Sequence, residues 1–450
     1  MTHAVPPAGT DEALTSVEAH LAEILGTVRA LVPTELSLSD ANGLVLAENV
    51  TASVPLPSFD NSGMDGYAVR IGDVAAASEQ TPVTLPVVAE VAAGDTGAYA
   101  LPPDASIRIM TGAMLPHGTE AVVPVEWTDG GTTRVAIYGR PDRGHALRLT
   151  GEDAKAGEVL VGAGTRLRPM HIAVIAATGR GTVLVRPRPR VVVLSTGSEL
   201  AEPGTPIIPG RIWDSNSFMI AAAAREAGCL AYRQSIVPDN PDEVLPAIED
   251  QLARADLMIT TGGVSMGGEY DVVKAALRKL GTVRFRKVAM QPGMPQGFGT
   301  VALSPSATPE GRARRSLIGR LAERGEIAER AIGSSGEADQ VPIFTLPGNP
   351  VSAYVSFQVF ARPAIGALQA DDNLGLEATR AELTGPLRSP PGRRSFLRGV
   401  LDRGRGRITP LTGQGSHQIA TLGKANALII VPESMVQMAE GETAEVLVLP

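Results

Sequence analysis

From Arg190 onward the chain alternates strand-like apolar runs with helical patterns, and this alternation limits its possible folds more than any other feature. Val191-Val192-Val193-Leu194 predicts a buried strand, followed by a helix from about Asn216 to Ala227. Leu230 to Val237 predicts a second strand, with a helix from Pro241 to Arg254. Leu257-Met258-Ile259-Thr260 leads to a helix from Asp271 to Leu280, and Ile343-Phe344-Thr345-Leu346 to one from about Pro350 to Ala361. Strands repeated at this spacing run parallel, and the helices between them cover both faces of the sheet. The fold class expected is therefore α/β plus β: a doubly wound parallel-sheet domain accompanied by smaller β units.

The flanking segments follow other periods. Val17, Leu21, Ile24, Leu25, Val28 and Leu31 recur at helical spacing, so Thr15–Leu31 predicts an amphipathic helix with Thr15 and Glu18 as its capping box. Between about Tyr67 and Gly139 short strands alternate with Gly and Pro: Thr84–Val91, Ser106–Met110, Ala121–Trp127 and Thr133–Tyr138. A short helix is expected from Pro169 to Ala177. Strands at Arg380–Leu383, Phe396–Leu401, Ala427–Val431 and Ala444–Leu449 predict a small C-terminal barrel or sandwich. Residues 303–340 interrupt the α/β pattern and read as a solvated insertion, with one short helical stretch from Ser316 to Ala331.

Composition excludes several classes. A chain of 450 residues exceeds one core, so two to four domains are expected. The net charge of −8 argues against a general nucleic-acid or anionic-membrane binder. The single Cys229 rules out an intramolecular disulfide and a Cys-rich metal site, and the 6 His are scattered. Neither a membrane-spanning apolar run nor a signal-like N-terminus is present, so a cytoplasmic enzyme is expected.

In an open α/β sheet, ligands bind beyond the carboxyl ends of the strands. Three loops leave such ends: Ser195–Glu199, Thr260–Gly268 and Pro347–Pro350. Glycines 262 and 263 let backbone N–H groups approach a phosphate closely, and the following helix turns its positive end to the same anion. Glu199, Asp239 and Asp271 each follow a strand of this sheet. Singly each reads as a cap or turn acid; together, converging on one edge, they describe a magnesium–phosphate site. Gly263-Val264-Ser265-Met266-Gly267 also fits a serine-hydrolase nucleophile elbow, for which His417 is the sole downstream His. Upstream, Ser58–Arg70 crowds Asp60 and Asp65 into a Gly-punctuated loop beside groups that suit a polar ligand.

These loops resemble a known family. Phe59-Asp60-Asn61-Ser62-Gly63-Met64-Asp65-Gly66-Tyr67-Ala68, Arg108–Ala113, Ser195–Leu200, Gly262–Ser265 with Tyr270-Asp271, and Leu346–Ser352 occur in the order found in the MoeA-type molybdenum insertases, the molybdopterin molybdenumtransferases related to the E domain of gephyrin. The resemblance implies four domains: a linker domain of residues 28–54 and 146–187, a small β domain of 55–145, an α/β molybdopterin-binding domain of 12–27 and 188–370, and a C-terminal β-barrel-like domain of 371–450. It implies a homodimer that inserts molybdenum from molybdate into adenylylated molybdopterin and releases AMP with Mg²⁺ assistance. Asp60 and Thr111 would come from the partner subunit. Asp153, Glu199, Asp239 and Asp271 would complete the catalytic set, with Glu199 and Asp271 on the metal. Gly262, Gly263, Ser265, Lys274, Pro347, Asn349, Pro350, Arg393 and Ser416 would bind substrate, Arg393 and Ser416 as C-terminal anion contacts. Met294 stands where the family usually carries Lys, and a thioether cannot replace an ammonium at an anion site. The alternatives carried forward are a paralogue with weak or tungstate-directed activity, a G-x-S-x-G serine hydrolase, and a scaffold protein.

Overall fold

The computed structural model describes residues 14–238, 240–252, 254–262, 272–279, 283–302 and 340–450. It divides into two compact units, one built from residues up to Leu36 with Gly43–Ala47 and Leu184–Pro450, the other from Ser37–Asn42 and Glu48–Val183. Among the described residues, no helix is long and apolar enough to cross a membrane.

The larger unit holds a six-stranded sheet in the order 230–233, 190–195, 257–261, 340–346, 295–302, 284–287. The first four strands are parallel: Val192 lies opposite both Tyr232 and Met258, and Ile259 opposite Phe344. Side chains alternate across each strand, which is why unbroken apolar runs were needed. Val191, Val193, Leu257 and Ile259 enter one core with Ile24, Ile220 and Phe360. Val192, Leu194, Met258 and Ile343 enter the opposite core with Val244, Ile248 and Leu277.

Two further strands extend the parallel set, and the sequence pattern did not reveal them. Pro295–Ala302 runs antiparallel to Gln340–Leu346, and Arg284–Lys287 antiparallel to Pro295–Ala302. Arg284, Arg286 and Lys287 mask the outer strand as a polar stretch, and Gly297 and Gly299 mask the inner one. A Cβ at Gly297 would stand 2.8 Å from the Phe285 ring and 2.9 Å from Thr345 Cβ. The glycine is there because its neighbours close over it. Ala302 pairs with Gln340, so the long insertion joins two adjacent antiparallel strands. Residues 303–339, including the expected Ser316–Ala331 helix, lie outside the described residues.

The N-terminal helix spans Val17–Thr27 and is capped by Ser16, whose hydroxyl accepts from Ala19 N. Thr15 lies one residue outside the cap, where its amide donates to Lys287 O at 2.9 Å. Leu25 is 39% exposed, so the buried stripe is narrower than the apolar spacing implied. The Pro350 helix outruns its expected end. It continues from Ser356 through a π turn at Phe357–Ala361 and on to Gln369. The wide turn accommodates Pro363, which lacks an N–H and would clash with a regular preceding turn.

Residues 378–450 close a five-stranded barrel: 394–402 pairs with both 407–410 and 427–431, and the ring is completed through 378–383 and 443–448. The smaller unit contains a five-stranded sheet in the order 121–124, 66–69, 106–109, 83–91, 134–137, and the Pro169–Ala177 helix falls where the sequence puts it. The expected strand Ala121–Trp127 stops at Pro124 and turns into a short 3-10 helix at Val125–Trp127.

Candidate functional site

At the carboxyl edge of the parallel strands the backbone forms a tight cradle. Thr196 N donates to Thr261 O at 3.2 Å, and Gly262 N to Leu346 O at 3.1 Å. Gly262 has φ +93°, and a Cβ there would stand 2.7 Å from Thr196 O, so glycine is required twice over. A Cβ at Gly348 would be 3.6 Å from Gly262 Cα, and Asn216 Nδ2 donates to Gly348 O at 2.6 Å. Pro347 is buried while Gly348 and Asn349 are exposed at the rim. Thr196 Oγ1 and Asn216 Oδ1 are buried without a hydrogen-bond partner among the described residues. Unpaired polar atoms at such an edge are groups that a polar ligand or water satisfies.

Glu199 follows the central strand. Its carboxylate folds back over the loop, so that a Cβ at Gly197 would meet Glu199 Oε2 at 2.7 Å. The chain also returns to this edge at Val237, which bridges Thr196. Asp239, Gly263, Ser265 and Asp271 lie outside the described residues. Among the described residues no group of three or more His, Cys, Asp or Glu side chains could hold a metal ion. Glu199 is a hard oxygen donor, which suits Mg²⁺; such ions are commonly held by one or two carboxylates with substrate phosphates.

Ser416 comes from the C-terminal barrel and reaches the same cradle. Asn349 Nδ2 donates to Ser416 Oγ at 3.1 Å, and Val351 N donates to Ser416 O at 3.1 Å. Pro350 opens the helix at its first turn, where its missing N–H costs nothing. The Ser416 loop is held by Arg398, a residue the sequence reading passed over. Arg398 Nη2 donates to Gly413 O at 2.6 Å and to Gly415 O at 3.3 Å. Gln414 is clamped by the backbone of Arg398 on both sides, at 2.9 Å each. Arg398 is 1% exposed, and its Nε and Nη1 have no partner among the described residues. Burial lowers its pKa from the usual guanidinium range. A buried cation with spare donors is costly until an anion arrives. Its signal in the sequence was a lone charge within Phe396-Leu397-Arg398-Gly399-Val400-Leu401.

Arg393 is half-buried, and its carbonyl faces Ser389 Oγ at 3.5 Å; the bonds to the Ser416 loop come from Arg398. Lys274 Nζ lies 5.4 Å from the centroid of the Phe285 ring. Met294 is half-buried, and its carbonyl accepts from Val288 N at 2.8 Å. Gln296 pins this loop through Gly293 O at 2.5 Å and Ser356 Oγ at 2.6 Å.

In the smaller unit, three loops carrying Asp60, Thr111 and Asp153 are knit by main-chain hydrogen bonds. Gly112 N donates to Ser62 O, Leu115 N to Asp60 O, and Asp153 N to Leu56 O. Asp60 Oδ1 accepts from Thr150 N and Thr150 Oγ1, both at 2.7 Å. Asp65 Oδ1 accepts in the same way from Thr111 N and Thr111 Oγ1, both at 2.7 Å. In each pair the backbone N–H, followed by the hydroxyl, holds the carboxyl below its ordinary pKa. Part of each acid's role is thus to brace a loop, which the sequence reading weighed less than ligand binding. Phe59, Met114 and Leu149 are exposed around these loops, at 40%, 41% and 53%.

Comparisons with known proteins agree with this layout. Residues 14–179 match the MoeA N-terminal region (domain I and II), 192–367 a probable molybdopterin binding domain, and 380–449 the MoeA C-terminal region (domain IV). The chain is similar to molybdopterin molybdenumtransferase 2 of Mycobacterium tuberculosis, at 40% identity covering 96% of this chain and 98% of the relative. It is also similar to the molybdopterin molybdenumtransferase of Bacillus subtilis, at 32% identity over 92% and 89%. Among solved structures, a molybdopterin biosynthesis MoeA protein from Pyrococcus horikosii aligns with TM-score 0.77 and 26% identity, covering 97% of this chain and 99% of that one.

Proposed function

The chain belongs to the MoeA family of molybdopterin molybdenumtransferases, enzymes of molybdenum cofactor biosynthesis, and we propose that it transfers molybdenum from molybdate to adenylylated molybdopterin with release of AMP. Neither the serine-hydrolase nor the scaffold reading gains support from its relatives. In the proposed reaction water adds to phosphorus as the phosphoanhydride P–O bond breaks and AMP leaves. The two dithiolene thiols give their protons to a molybdate oxygen that departs as water while the sulfurs take the metal. The Gly262-lined cradle approaches the phosphates, and Thr196 Oγ1 and Asn216 Oδ1 orient polar groups of the substrate. Molybdate is a dianion, and Arg398, Ser416 and Asn349 are donors of the kind it requires. Glu199, with Asp271, would hold Mg²⁺, which supplies positive charge as the phosphoanhydride charge develops.

Asp60 and Thr111 are assigned to a second copy in a cytoplasmic homodimer. The exposed Phe59, Met114 and Leu149 beside them support this, since an apolar rim around polar loops favours a protein partner. Asp153 belongs to the same loop cluster.

The observation that carries the proposal is the attachment of Ser416 to Asn349 on a loop held by the buried Arg398, whose Nε and Nη1 have no partner among the described residues. AMP release from purified adenylylated molybdopterin, with and without molybdate, tests it. Molybdate-dependent release is expected; release indifferent to molybdate contradicts the reading.

A further inference from the structure

Between Glu199 and Asp214 the chain forms a strap at the carboxyl edge of the larger unit's sheet. Its two legs, Leu200–Ala201 and Ile212–Trp213, pair in parallel, with Leu200 opposite Ile212 and Ala201 opposite Trp213. Ile212 N donates to Glu199 O and Asp214 N to Ala201 O, both at 2.9 Å. Parallel pairs normally need a long crossover, usually a helix packed on the sheet. Here the connection is residues 202–211, which contain no helix, and Ile207, Ile208, Ile212 and Trp213 all remain exposed. Two short legs with so little packed around them need a brace from elsewhere.

Arg233, at the end of the neighbouring edge strand, grips both legs. Its Nη1 and Nη2 meet Glu202 Oε1 and Oε2 at 3.0 and 3.1 Å, a two-pronged contact just past the first leg. Its Nη2 lies 3.8 Å from Asp214 Oδ2, just past the second leg. Its Nε donates to Ser217 Oγ at 2.8 Å, and Ser217 Oγ donates to Asp214 Oδ2. The guanidinium plane is fixed over the Phe218 ring, 3.4 Å from its centroid. Asp214 is 1% exposed and accepts from Ser195 Oγ, which also meets Thr261 Oγ1 at 2.9 Å. The network therefore runs from the strap to the ends of the two central strands that flank the cradle. A planar fork suits this work, whereas an ammonium could not serve Glu202 and Ser217 in fixed directions.

We propose that Arg233 is a positioning residue, which clamps the strap through Glu202 and Asp214 and thereby fixes Glu199 at the cradle edge. The role assigned to Glu199 rests on the metal-holding reading given above; the clamp itself does not. Three variants separate the two: Glu202→Ala, Arg233→Lys and Glu199→Gln. Glu202 is 46% exposed along its side chain, so its loss leaves the buried Asp214 cluster intact. Two readouts are needed, amide hydrogen exchange at Ile212 and Asp214, and Mn²⁺ affinity by electron paramagnetic resonance with Mn²⁺ as the probe.

Glu202→Ala and Arg233→Lys are expected to speed exchange at both amides and to weaken Mn²⁺ binding, each by about fivefold. Glu199→Gln is expected to weaken Mn²⁺ binding with exchange unchanged. The proposal is overturned if folded Glu202→Ala and Arg233→Lys proteins keep both quantities within about twofold of wild type. It is also overturned if exchange rises while only Glu199→Gln loses Mn²⁺. Mn²⁺ binding by Glu199→Gln equal to wild type would remove the metal reading, and the positioning role with it, whereas the exchange data would still report on the clamp.

Discussion

Asn349 donates to Ser416 across 67 residues of sequence, through a 3.1 Å bond between the rim of an α/β cradle and a loop of the C-terminal barrel. Below that loop Arg398 lies buried, with Nε and Nη1 unpartnered among the described residues. Arg398 holds the loop that presents Ser416, through Gly413 O and Gly415 O.

Arg398→Lys keeps the charge but loses the fork that holds Gly413 O and Gly415 O. Losing such charged hydrogen bonds costs about 2 kcal/mol, or roughly thirtyfold in kcat/KM. The loss should appear in steady-state AMP release at limiting molybdate. Arg393→Ala, which leaves those bonds in place, should cost much less.

Gly262→Ala tests the cradle. The new Cβ would stand 2.7 Å from a backbone carbonyl at φ +93°. Strain of this kind costs about 1–3 kcal/mol, so the thermal midpoint should fall. Calorimetry measures it, and Gly210→Ala is a fair control: its φ is +86° but no atom lies within 4 Å of the added Cβ.

Asp65→Asn and Asp65→Ala should part company. Both bonds from Thr111 end on Oδ1, an acceptor that Asn retains. Asp65→Ala removes the acceptor of both Thr111 bonds and should lower the urea midpoint. Asp65→Asn should lower it by less than half as much.

His20 sets a pH dependence. It is 2% exposed and packs edge-on against Phe360 at 4.8 Å. Burial first, then the charge of Arg286, lowers its pKa to about 4. The unfolded chain therefore binds more protons than the native one between the ordinary histidine value and that depressed one. This contribution, on the order of 3 kcal/mol, is complete above about pH 6.5 and is lost as pH falls toward 4. His20→Leu should flatten the slope of urea midpoint against pH in that window.

Much of this arrangement was legible because the physics is local. Val191–Leu194 and Leu257–Ile259 are apolar at every position, as a strand covered on both faces must be. The Phe59–Ala68 and Leu346–Ser352 loops pointed to the family, and the cradle around Gly262 and Gly348 forms where the strand ends required it. What stayed hidden depends on distant partners. Gly297 looks like a strand breaker until Phe285 and Thr345 are seen closing over it. Arg398 shows in the sequence only as a lone charge in an apolar strand, and its task appears once the loop at 413–416 is folded onto it. Thr15 reads as the cap from its spacing to Glu18, whereas the folded helix begins one residue later and takes Ser16.

The apparent KM for molybdate in Ser416→Ala distinguishes an oxyanion contact at this hydroxyl from a purely structural one. AMP release gives that KM, and calorimetric titration gives the affinity for adenylylated molybdopterin. The KM should rise about tenfold while pterin affinity stays within about twofold of wild type. An unchanged KM for molybdate, or an equal loss of both, would contradict the oxyanion contact.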